Sequence, residues 1–528
     1  MGKKLAHWGA WLWVLGFLAC GSADKQTEVG IALDRTTSVL SGEELSRQFC
    51  QSCHLYPDPN SLDKHTWERS VLPLMGRLFG IYEEHVPRSE VIQGALNPGL
   101  VVKQGLFPEE PLITHEEWAK IVEYYVSNAP DSVQFSARPE LAYSPLEGFE
   151  LLTPYKGTEV LSATLVKMDP ENALAYVGGS KGQRGFLKIF DQDFALVDEI
   201  PLPTPPTDIR IGKDYLAITL VGSLVLAPSD NQFGELIYLF RNPGEKRYSA
   251  YRKFAGDLSR PVNTLFHDID GSGYEDIIIA EYGYYTGSLS LFKNSADSRD
   301  LYKKTVLKNA PGAVKVVVED MDQDGHQDIV ALFGQGDESL SIFYNDGRST
   351  FREETVLRFP PTYGSVYFEL VDINQDGFLD ILYVNGDNGD YPPVLKAYHG
   401  IRIFENDGEN RFKQVYFYPM YGAFKASAED FDLDGHLDVF AVSFFPDAGA
   451  VPRHDLVFLK GEGGYNFSPQ LLEQDVPYRW ITFDIKDWDG DGYKDILLGS
   501  MGTFVQPPFQ GQAAEGEGSL VLLKNSGR

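Results

Sequence analysis

Asp487-Trp488-Asp489-Gly490-Asp491-Gly492-Tyr493-Lys494-Asp495-Ile496-Leu497-Leu498 is the stretch from which the fold can be read. Oxygen-bearing side chains stand at positions 1, 3, 5 and 9 of this loop, with glycine at position 6 and an apolar run directly after it. Four earlier copies keep the frame. They are Asp268, Asp270, Ser272 and Asp276; Asp320, Asp322, Asp324 and Asp328; Asp372, Asn374, Asp376 and Asp380; and Asp430, Asp432, Asp434 and Asp438. Successive copies begin 52, 52, 58 and 57 residues apart. Alternate residues of a tight turn can point inward together, and calcium takes six to eight oxygens at about 2.3–2.6 Å. Carboxylates packed so closely repel without a cation. Metal-free aspartate–glycine hairpin turns are the competing reading. The fixed frame of all five copies favours about five Ca2+ ions, with Asp487, Asp489, Asp491 and Asp495 as ligands in the last.

Position 12 of each copy is a strand residue rather than the glutamate of a helix–loop–helix calcium site, as in Ile277-Ile278-Ile279 and Ile496-Leu497-Leu498. The loops therefore lie between strands. Each unit also has a later strand ending in a turn: Leu291-Phe292-Lys293-Asn294, Ile342-Phe343-Tyr344-Asn345, Ile403-Phe404-Glu405-Asn406 and Leu522-Leu523-Lys524-Asn525. Internal periods of this length mark a repeat architecture. The loops and strands resemble the FG-GAP or VCBS repeats of integrin-like β-propellers, and that resemblance implies a propeller over residues 147–528. Two earlier units, near 160–205 and 206–260, show the strands without the loop, which makes seven blades. The chain stops just after Leu523, and Phe149-Glu150-Leu151-Leu152 is a spare strand ahead of the first blade. It is expected to complete the last blade and remove an open edge.

Ahead of the repeats stands Cys50-Gln51-Ser52-Cys53-His54. Two thiols three apart followed by histidine is the c-type haem attachment signature. Cys50 and Cys53 would join the porphyrin edge, and His54 would be the proximal iron ligand. A redox pair or half a zinc site are the alternatives, and a zinc site would want two further ligands. Met75, in Trp67-Glu68-Arg69-Ser70-Val71-Leu72-Pro73-Leu74-Met75-Gly76, is the expected distal ligand, with His65 and His85 as alternatives. This stretch resembles short cytochrome c modules in which a tryptophan precedes the ligand methionine. Thr114 and Glu117 form a capping box ahead of Trp118, Ile121, Val122 and Tyr125 at helical spacing. The resemblance implies a small all-α cytochrome c domain over residues 38–130, joined to the propeller by a proline-bearing linker over 131–146.

Residues 1–19 read as an export signal, with Lys3 and Lys4 before an apolar run too short to span a bilayer comfortably. Phe17-Leu18-Ala19-Cys20 resembles a bacterial lipobox, with Phe17 departing from the usual leucine. That implies lipidation at Cys20, a tether over 20–37, and a cell-envelope protein anchored to the outer membrane, on its periplasmic or surface side. The net charge of −30 argues against nucleic acid as a partner. No P-loop, dinucleotide fingerprint or nucleophile elbow is present. Three functions fit: electron transfer with the propeller docking a redox partner protein or a glycan or small-molecule ligand, a haem-coupled sugar or alcohol dehydrogenase, or an adhesion scaffold with structural calcium. Long insertions after the second strand of several blades, such as Tyr282–Thr286 and Asn385–Tyr398, mark the face expected to dock a ligand or partner.

Overall fold

The computed structural model describes residues 39–95, 97–132, 142–155, 161–242, 244, 247–295, 301–389, 394–447, 454–472, 479–501 and 519–527. The expected export signal, the Cys20 lipidation site and the expected tether lie outside the described residues. No described helix is long and apolar enough to cross a membrane.

Six helices precede the strands: α1 (Gly42–Cys50), α2 (Lys64–Thr66), α3 (Leu72–Leu78), α4 (Arg88–Gly94), α5 (Pro98–Lys103) and α6 (His115–Asn128). Both long helices start with complete capping boxes, Ser41 with Glu44 and Thr114 with Glu117. Trp118, Ile121 and Tyr125 of α6 pack with Leu45 of α1 and with Trp67, Val71 and Leu72 in one buried cluster. Gly42 lets α1 approach α6 closely, since a Cβ there would lie 2.2 Å from the Lys120 carbonyl oxygen. Pro73 falls in the first turn of α3, directly after a π-helical turn over Trp67–Val71. The widened turn accommodates the missing proline N–H and sets the direction of the segment carrying Met75.

Among the described residues, the strands that follow form seven antiparallel blades. Blades 1 and 2 begin at Ala163 and Pro206, and blades 3 to 7 at Pro261, Ala313, Ser365, Ala423 and Trp480. Second strands of blades 3 to 7 are buried along their whole length, as in Asp276–Glu281 and Asp495–Ser500. Outer strands such as Phe351–Arg358 are largely exposed, with no buried residue. The five acidic loops join first to second strands, as read from the sequence.

Closure follows the sequence reading too. Phe149–Leu152 pairs antiparallel with Leu520–Asn525, Leu151 opposite Leu523, and completes blade 7. Ser144–Pro145 adds a short parallel edge to blade 6. The innermost strands are clamped by polar side chains that reach the next blade's backbone. Asp484 accepts from Met168 N at 2.8 Å across the 7–1 seam, and Asp208 accepts from Thr264 N at 2.9 Å. Asn263 accepts from Val316 N at 3.0 Å, and Glu369 from Ala428 N at 3.4 Å. Leu523 is fully buried where the N-terminal strand meets the last blade. Leu523→Ala is expected to cost about 2–5 kcal/mol, read by urea denaturation. A cost under ~0.5 kcal/mol would mean that this seam is not packed in solution.

Candidate metal and cofactor sites

Each acidic loop is built on a buried anchor. The position-9 aspartates Asp276, Asp328, Asp380, Asp438 and Asp495 are at most 1% exposed. One carboxylate oxygen of each accepts the backbone N–H at the end of the third strand, from Asn294, Asn345, Asn406, Gly461 and Asn525, at 2.6–2.9 Å. The other accepts the N–H of loop position 2, from Ile269, Met321, Ile373, Phe431 and Trp488, at 2.9–3.3 Å. Burial pushes these carboxyls up, to about 6 for Asp328, Asp438 and Asp495. Position 1 turns the loop by accepting from the position-6 glycine, as Asp487 does from Gly492 N at 3.0 Å. Those glycines have φ between 84° and 96°, a region other residues enter only with strain.

Positions 1, 3 and 9 converge in four loops: Asp268, Asp270 and Asp276; Asp320, Asp322 and Asp328; Asp430, Asp432 and Asp438; and Asp487, Asp489 and Asp495. In each set the ligand atoms lie within 4.8 Å of one another. The blade 5 loop has Asn374 at position 3, where its amide donates to Asp376 at 2.8 Å. Position 5 is not one of the converging carboxylates. Asp324, Asp376, Asp434 and Asp491 each accept the N–H of position 7 at 2.8–2.9 Å, and Ser272 Oγ accepts from Tyr274 N at 3.4 Å. These clusters of hard oxygen donors could bind calcium. The strand-end residues, Asn in four of the five blades and Gly461 in blade 6, are a structural part of the loops, whereas the sequence reading took them only as turns.

The Cys50–His54 segment ends α1 and starts the turn after it. Cys50 is half-buried, Cys53 is exposed, and both are free thiols. Burial pushes the Cys50 thiol up to about 11, which disfavours the reactive thiolate of a redox pair. His54 Nδ1 donates to the Leu55 carbonyl at 2.9 Å, so Nε2 keeps its lone pair. Burial lowers the His54 pKa and favours that neutral form. Phe49, Cys50, Met75, Phe79 and Ile81 are partly buried against the same apolar cluster. Cys50 and Met75 thus share one apolar edge.

The insertion face holds a feature the sequence did not disclose, because the chain's own helical segment occupies it. Tyr398 Oη donates to the Ser61 carbonyl at 3.0 Å, Asn97 Nδ2 donates to the Asp230 carbonyl at 3.4 Å, and Phe107 meets Tyr285 edge-on at 5.3 Å. The ion pair of Asp337 and Arg358, 2.8 Å apart in blade 4, acts electrostatically on His54. Behind this contact Glu338 is buried and accepts from Ser365 Oγ at 2.6 Å and Ser365 N at 2.8 Å. Burial pushes its carboxyl up to about 7.

The FG-GAP-like repeat family matches residues 268–331 and 320–383. The chain therefore carries FG-GAP repeats within a seven-bladed β-propeller. Among solved structures, the Dos1 propeller is 11% identical with a TM-score of 0.41, over 69% of this chain and 77% of its own. BBS1N in complex with ARL6DN is 9% identical with a TM-score of 0.41, over 73% and 98%. Saccharomyces cerevisiae Sqt1 is 8% identical with a TM-score of 0.41, over 73% and 100%. None of the curated proteins matches this chain.

Two outcomes follow from these sites. Calcium at a hundredfold excess over Kd adds about 2.7 kcal/mol per occupied site, so a chelator is expected to lower the melting temperature in calorimetry. An unchanged transition in metal-free protein would make the loops plain turns. Glu338, folded, keeps a proton that the unfolded chain releases between its ordinary pKa of ~4.3 and about 7. Stability is therefore expected to fall as pH rises through that window and to level off above it. Denaturation of wild type and Glu338→Gln across the window checks this, since the variant should lose Glu338's share of the slope and keep the part that Asp328, Asp438 and Asp495, raised to about 6, contribute.

Proposed function

We propose that this chain is a cell-envelope haemoprotein of electron transfer, with a calcium-loaded propeller as its docking or ligand-binding platform. The observation that carries the reading is the Cys50–His54 segment, whose Cys50 packs against the apolar cluster that also takes Met75 and whose His54 Nδ1 is committed to the Leu55 carbonyl. Cys50 and Cys53 would hold the haem covalently. His54 would be the proximal ligand, with its tautomer fixed by Leu55, and Met75 the distal one. Bound haem supplies one-electron transfer at a potential set by its axial ligands and its burial. Cys20 would anchor the protein by lipid to the envelope. The helical segment sits on the face opposite the acidic loops. A redox partner protein or a glycan can then use the propeller's free surface without covering the haem edge.

A haem-coupled dehydrogenase is the second reading. It is favoured by the electrostatic influence of the blade 4 pair Asp337 and Arg358 on His54, which would bring propeller charges to bear on the haem.

Expressed with a c-type maturation system, the wild type is expected to retain haem through denaturing electrophoresis, and Cys50→Ser with Cys53→Ser to lose it. Haem retained covalently by the double variant would overturn the attachment. Met75→Ala is expected to change the oxidised and reduced spectra, and unchanged spectra would place another residue at the sixth position. Reduction of the haem by an added sugar or alcohol would favour the dehydrogenase over the docking platform.

A further inference from the structure

The five loops differ at one place that the acidic frame does not show. The residue just before the end of the third strand is Lys293 in blade 3, Tyr344 in blade 4, Glu405 in blade 5, Lys460 in blade 6 and Lys524 in blade 7. All three lysines reach the same ligand position of their own loop. Lys293 Nζ lies 2.7 Å from Asp270 Oδ2, Lys460 Nζ 2.5 Å from Asp432 Oδ2, and Lys524 Nζ 2.6 Å from Asp489 Oδ2. Each of those aspartates is one of the three that converge in its loop. An ammonium on position 3 takes up a carboxylate oxygen that a metal would use and places a positive charge where the ion would sit.

Blades 4 and 5 have no such group. Among the described residues, no lysine or arginine nitrogen lies within 4.0 Å of an acidic ligand in either loop. Tyr344 of blade 4 instead stacks under Arg352 at 4.4 Å and accepts from Asn410 at 3.2 Å. In blade 5 the lysine position is an acid. Glu405 acts electrostatically on Tyr465, whose hydroxyl donates to Asp380 Oδ2 at 3.0 Å. Glu405 thus adds negative charge to the one loop whose position 3 is an uncharged amide.

We propose that Lys293, Lys460 and Lys524 are tethered counter-cations that compete with calcium for the loops of blades 3, 6 and 7. The protein then has two classes of calcium site, a tight pair in blades 4 and 5 and a weaker trio. This rests on the calcium reading of the loops. The lysine side chains are 36–40% exposed, so each can swing into solvent when an ion enters. Partly exposed ion pairs are worth about 0–1 kcal/mol, and a displaced ammonium nearby still opposes a divalent cation. Together these set an expected difference of about three- to tenfold in Kd between the classes. In metal-free protein the lysines neutralise part of the charge of their own loops by direct ion pairs, whereas Arg352 acts on Asp322 of the blade 4 loop only from beyond ion-pair distance.

Isothermal titration of the full metal-free chain with calcium tests this, using wild type, a Lys293→Met, Lys460→Met, Lys524→Met triple variant, and the corresponding triple arginine variant. Wild type is expected to show two tight and three weaker sites. The methionine variant should tighten the weaker class about three- to tenfold, and the arginine variant, which keeps the charge, should leave it weak. Calcium uptake in a single class of five sites, or a weak class that methionine leaves unchanged, would overturn the proposal while sparing the calcium reading. Wild type that takes up no calcium would overturn both.

Discussion

The position-9 aspartate of each acidic loop is the interaction on which the rest of the propeller depends. A buried carboxylate is costly unless hydrogen bonds or a cation compensate it. Here both oxygens are committed to backbone N–H groups, one from the end of the third strand and one from the loop's own second residue. Asp328, for example, ties Asn345 to Met321. The aspartate therefore fixes the loop to the strand two places away and holds the remaining carboxylates above it. The second loop residue, such as Phe431 or Trp488, goes down between blades as a packing side chain. One residue in each repeat thus links charge at the surface to order in the core.

Blades 1 and 2 show what replaces that device where the loop is absent. The turn after the first strand of blade 1 is a short 3-10 turn in which Asp169 accepts from Asn172. The inner ring is then carried by the strand-to-strand clamps. Lys167 adds an ion pair to Asp484 at 3.2 Å across the seam where the last blade meets the first. That seam is also where the N-terminal strand completes blade 7, so side-chain and backbone closure coincide.

Most of the propeller was legible because its signals are local and repeated. The loop frame, the apolar second strands and the spare strand Phe149–Leu152 are all contiguous in the chain. The loop frame was legible, but spacing alone does not show that positions 1, 3 and 9 lie together in four loops while position 5 accepts the N–H of position 7. The clamps Asp208, Asn263, Glu369 and Asp484 were not legible, since a polar residue in a first strand looks like ordinary alternation. Nor was the seating of the helical segment on the insertion face. That depends on Tyr398, Asp230 and Tyr285 meeting Ser61, Asn97 and Phe107, residues more than a hundred positions away in the chain.

The proposed function requires one covalent haem and a set of calcium ions in a single chain. Mass spectrometry of the purified, maturation-competent protein, run under denaturing and then native conditions, reads both at once. The account predicts one haem that survives denaturation and up to five calcium ions present only in the native spectrum and removed by chelator. A denatured chain without haem, together with a native mass unchanged by chelator, would contradict it.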